Sequence, residues 1–144
     1  MTKALAKRNN VGNRWLDSIF EDFFSVPNVF DRRSIGFTPR VNITDSADHL
    51  IFDFEVPGME KKDIKVTITN NVLSVSGKRE LRSSSDDEVT VREEIITGSF
   101  ERQFTLPDVV QADTIKAEYK NGLLQVKLAK KEEVKPKEIE IKIS

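Results

Sequence analysis

His49 is the single histidine of a chain that has no cysteine. Nucleophilic catalysis needs a base beside its nucleophile. His49 opens an apolar alternation, and reads as an ordinary exposed side chain rather than a proton carrier. Asp86, Asp87 and Glu88 are clustered carboxylates, but a calcium loop spaces its ligands around a turn glycine. A solvated charge run is the simpler reading. Gly77-Lys78 resembles the end of a phosphate loop, yet the earlier glycine, the following Ser/Thr and the helix are missing. No thiol means no disulfide and no thiolate metal site, and one imidazole leaves little for zinc or iron. No catalytic, cofactor-binding or metal site is expected, and no enzyme.

Adhesion is what these residue types can do instead. The chain closes on "IEIKIS", with Ile139, Ile141 and Ile143 on one face of a period-two pattern and Glu140 and Lys142 on the other. Before it runs the charged link "AKKEEVKPKE". Near the other end, "NRWLDSIFEDFF" places Trp15, Leu16, Ile19, Phe20, Phe23 and Phe24 on one helical stripe, and Pro27 stops it. The opposite face carries Asp17, Glu21 and Asp22, the wrong sign for a membrane-surface helix. That stripe either packs on its own domain or is offered to partners.

Between these strips the chain reads as strand and turn. Leu50, Phe52, Phe54 and Val56 alternate up to Pro57-Gly58, and Ile64, Val66 and Ile68 repeat the pattern. Asn70-Asn71 and Asn121-Gly122 suit tight hairpins, since both types tolerate positive φ. "VLSVSG", "SFERQFTLP", "TIKAEY" and "LLQVKL" supply further short strands. Turns at such spacing predict an all-β, immunoglobulin-like antiparallel sandwich. Its boundaries fall at 40–128, with an arm at 1–39 and a tail at 129–144. "KRELRSSSDDEVTVREEIITG", 78–98, breaks the rhythm and is long for a plain loop. It is either a flexible loop or the carrier of a strand, with Val89 and Val91 on one side, that pairs elsewhere.

With 144 residues there is room for one domain plus appendages. Lys plus Arg is 23 and Asp plus Glu is 24, without the basic excess of a general nucleic-acid binder. "MTKALAKRNN" is basic, but no apolar run follows it, so neither a signal peptide nor a membrane span is expected, and the cytoplasm is the expected compartment.

"PRVNITDSADHLIFDFEVPGMEKKDIKV", "LSVSGKRE", "GSFERQFTLP", "IKAEYKNGLLQVKL" and "IEIKI" together resemble the small heat-shock proteins of the α-crystallin family. Two stretches carry most of that resemblance: Ala117-x-x-x-Asn121-Gly122-x-Leu124 and the doubled Ile-x-Ile of Ile139, Ile141 and Ile143. It implies an ATP-independent holdase that captures partly unfolded proteins and works as a dynamic homo-oligomer. It implies dimers made by exchanging the 78–98 loop, with Val89, Val91, Arg92, Glu93 and Glu94 at the contact. It implies that the tail isoleucines latch into a neighbour's groove, formed by Ile64, Val66, Ile68, Ile115 and Ala117. ATP-dependent chaperones that refold the captured clients are further implied partners; nucleic acid and membrane are not. Arg102 matches the arginine of Gly-x-Phe-x-Arg-x-Phe and shares parity with Phe100 and Phe104, so it is expected to be structural, its head paired to a carboxylate. Two positions depart from the family pattern: Leu128-Ala129-Lys130 where Leu-Pro-Lys is common, and Ile95 where an arginine often follows the glutamate. The other reading is a co-chaperone-like sandwich that binds one specific partner.

Burying three isoleucines is worth roughly 4–9 kcal/mol gross. Ordering six residues costs on the order of 6–12 kcal/mol. A single tail latch is therefore weak, and only many latches together hold by avidity. A ten-residue link reaches at most about 33–36 Å. The competing possibility is that Ile139–Ile143 is the last strand of its own sheet.

Overall fold

Alternating β-branched and aromatic residues cannot bury one face alone, so the strands pack in two sheets. The computed structural model describes residues 36–134 and 140–143. The arm stripe (Trp15, Leu16, Ile19, Phe20, Phe23, Phe24) and Ile139 lie outside the described residues.

Seven strands are present among the described residues: β1 (Val41–Asp45), β2 (His49–Glu55), β3 (Ile64–Thr69), β4 (Val72–Arg79), β5 (Gly98–Thr105), β6 (Lys116–Lys120) and β7 (Leu123–Ala129). All pairings are antiparallel, in sheets of order β1-β2-β7-β6 and β3-β4-β5. This is the expected sandwich. β1 escaped the periodicity reading because only Val41 and Ile43 alternate there. Alternation predicts an end to β4 at Gly77, whereas the strand runs on to Arg79.

Phe52, Phe54, Leu73, Val75, Val126 and Leu128 are sealed between the sheets. The ring of Phe104 in β5 sits 5.2 Å from that of Phe52 and 5.9 Å from that of Phe54, which locks one sheet to the other. The hairpins turn where the asparagines predicted: Asn70, Asn71 and Asn121 have φ of 50°, 60° and 53°. Gly122 follows at φ 78°, and a Cβ there would lie 3.2 Å from Pro57. Val56 donates its N–H to the Gly122 carbonyl, so this turn is packed on its neighbour.

Candidate functional site

β3 and β6 are outer strands of different sheets. Arg102 of β5 donates to the Pro39 carbonyl at 2.9 Å, which sets β5 beneath the start of β1. β3 therefore lies at the opposite edge, beneath β6. In agreement, the Tyr119 hydroxyl in β6 donates to the Met59 carbonyl at 2.8 Å, on the connection that enters β3.

The inward residues along this edge are incompletely covered. Ile64, Val66 and Ile68 are half-buried, as are Ile115 and Tyr119. Ala117 pairs with the buried Val126, so it faces inward. It is nonetheless exposed: a methyl group is too short to close the gap between the sheets. The five groove residues that the resemblance implies lie along the inner faces of two facing edges. His49, at the start of β2, is half-exposed and lines a shallow open depression with Asp113, Lys116 and Lys127.

Residues 80–97 connect β4 to β5 with no strand of their own. The alternation of "EVTVRE" finds no strand partner among the described residues. Val89 and Val91 are 86% and 95% exposed, and Arg92, Glu93 and Glu94 are exposed beside them. Leu81, Ile95 and Ile96 add further uncovered apolar surface. Within the acidic cluster Glu88 closes a turn. Glu88 donates its N–H to the Ser85 carbonyl, and its carboxylate accepts from the Ser85 N–H and twice from Arg82.

The last described residues, Glu140–Ile143, form no strand. Ile141 is 83% exposed and Ile143 98%. They are not the closing strand of their own sheet. The root of the tail is pinned more tightly than the sequence suggested. Lys130 donates its N–H to the Asp48 carbonyl and pairs its ammonium with Asp45 at 2.5 Å, both groups being largely covered. Lys131 donates to the Val109 carbonyl. Glu132–Val134 follow as a single 3-10 turn. Ala129 puts its N–H to use by donating to Thr114 Oγ1 at 3.0 Å. A proline there has no such donor.

Arg102 packs as expected but pairs differently. It donates to the Pro39 carbonyl, its guanidinium carbon lies 5.2 Å from the Phe104 ring centroid, and among the described residues no carboxylate pairs with it. The flanking β5 and β4 positions on that face are apolar, so a main-chain oxygen replaces the anion. Burial pushes its pKa below the ordinary arginine value. The sequence reading missed a second arginine. Arg79 is the only charged side chain buried among the described residues. Its parity with Leu73, Val75 and Gly77 is the signal that could have found it.

A family model described as the Hsp20/alpha crystallin family matches residues 42–144. Spore protein SP21 of Stigmatella aurantiaca is 41% identical over 106 residues, covering 74% of this chain; the chain spans 63% of that relative's length. Small heat shock protein C2 of Rickettsia felis is 33% identical over 141 residues, covering 96% of this chain and 88% of that one. Among solved structures, a small heat-shock protein from Xylella fastidiosa, described as having a distinct high order structure, superposes with a TM-score of 0.64 at 33% identity, covering 76% of this chain and 100% of that one. Heat shock protein 16.0 from Schizosaccharomyces pombe gives a TM-score of 0.64 at 31% identity, covering 75% and 99%.

Proposed function

Because the chain belongs to the Hsp20/alpha crystallin family, we propose that it is an ATP-independent holdase that works as a homo-oligomer and keeps partly unfolded proteins from aggregating. One observation carries this reading. Ile141 and Ile143 stand almost fully in water while the inner faces of β3 and β6 are only partly covered at their edge. Among the described residues the strip covers no groove and the groove holds no strip, which favours exchange between copies.

The roles divide as follows. Ile139, Ile141 and Ile143 seat on Ile64, Val66, Ile68, Ile115 and Ala117 of a neighbour. The exposed loop 80–97 pairs Val89 and Val91 across a dimer, where Arg92, Glu93 and Glu94 set charge complementarity. The arm stripe of Trp15, Leu16, Ile19, Phe20, Phe23 and Phe24 captures clients. Each tail contact is marginal in free energy, so the assembly holds by multiplicity while single contacts open to release apolar surface.

The test is light scattering from a heat-denatured client, with no nucleotide present. The full chain suppresses scattering, and replacing Trp15, Phe20, Phe23 and Phe24 by Ser weakens that suppression while the sandwich stays folded. Unprotected client with the intact chain would overturn the holdase reading. Equal protection by the Ser variant would remove the arm from it.

A further inference from the structure

Arg79 ends β4 where the chain leaves for the loop, and its guanidinium touches both ends of what surrounds the sandwich. Nε donates to the Ile96 carbonyl at 2.9 Å, and the adjacent terminal nitrogen donates to the same oxygen. Ile96 is at the far base of the loop, two residues before β5. The guanidinium carbon also lies 3.6 Å from the ring centroid of Phe37. Phe37 belongs to the segment through which residues 1–35 enter the sandwich, and it packs edge-on against Phe100 at 5.5 Å.

Among the described residues no carboxylate pairs with this buried guanidinium. Its charge is stabilised by one carbonyl and one ring face. A buried charge held by so few groups cannot lose either at little cost. A shift of the loop base withdraws the carbonyl, and a shift of the arm root withdraws the ring. Each loss favours the other, since a guanidinium deprived of one partner turns toward water and leaves the second. Lysine offers neither the planar fork nor the stacking face.

We propose that Arg79 is a positioning residue that couples the arm root to the loop base, so that arm placement and loop exchange shift together. The coupling is reciprocal by linkage. Its functional meaning rests on the roles proposed above for arm and loop, but its test does not involve a client.

The experiment is amide hydrogen exchange on the full-length protein and on Arg79→Lys, Phe37→Leu and the double variant. It is read in peptides covering 36–40 and 94–97, with β2 as the internal control for folding. Phe37→Leu keeps the apolar volume and removes the ring, so it remains informative should Arg79→Lys not fold. Each single variant speeds exchange in both peptides, by about three- to thirtyfold for loss of a desolvated cation–ring contact. The double variant goes no further than the larger single. Effects confined to the mutated residue's own segment, or effects that add in the double variant, would overturn the coupling. A chain that fails to protect clients yet shows this pattern would refute the holdase reading and leave the coupling intact.

Discussion

The Tyr119 hydroxyl donates to the Met59 carbonyl at 2.8 Å, across 60 residues of sequence, and also reaches the Val56 carbonyl at 3.2 Å. It is the tie that holds the outer strand β6 over the connection into β3. Tyr119→Phe removes it without changing the ring. The expected loss is about 0.5–1.5 kcal/mol per hydrogen bond. A denaturant midpoint that moves down with an unchanged slope is the signature, and a midpoint equal to wild type would show that the tie adds nothing.

Replacing Ile139, Ile141 and Ile143 by Gly removes the tail's apolar face. Ile141 and Ile143 are 83% and 98% exposed. The melting temperature of the sandwich therefore stays within error, while sedimentation shows large particles reduced to dimers. Particles of unaltered size would refute the latch.

Ala117 offers the converse test. It faces inward yet is open to solvent, so Ala117→Phe has room to fill the seat from the receiving side. The same loss of large particles is expected, with a melting temperature at or above that of the wild type, because the ring covers half-buried neighbours. Unchanged assembly would place the tail elsewhere.

Gly77 is half-buried with backbone close to its Cα, in a strand where its conformation is ordinary. A Cβ there would come 2.5 Å from the Asp63 carbonyl oxygen and 3.1 Å from Phe100. The oxygen belongs to the turn entering β3 and cannot swing aside like a side chain. Gly77→Ala should cost about 1–3 kcal/mol, as overpacking does, read as a lower thermal midpoint.

Ala129 shows how a departure from the family pattern is accommodated. Its N–H bonds Thr114 Oγ1, whose own hydroxyl donates to the Gln111 carbonyl at 2.7 Å. Ala129→Pro loses that bond, about 0.5–1.5 kcal/mol. Thr114→Val loses the same bond from the other side, so the double variant should cost less than the sum of the singles. Strict additivity in chemical denaturation would contradict the pairing.

Much of this protein is legible in its amino-acid sequence alone. Strands β2 to β7 follow from alternation at period two, which is a property of the backbone and needs no partner to be read. The hairpins follow from Asn and Gly, whose tolerance of positive φ is likewise local. The inward parity of Arg102 came the same way. Tertiary structure decided what those side chains meet. Whether Arg102 faces a carboxylate or the Pro39 carbonyl depends on a segment 63 residues away. That Arg79 sits between Phe37 and Ile96 depends on two segments converging on one strand end. That the edge at Ala117 stays open depends on how two sheets align. Periodicity carries one chain's direction at a residue; it carries no distance between residues far apart, and those distances were set only when the sheets closed on each other.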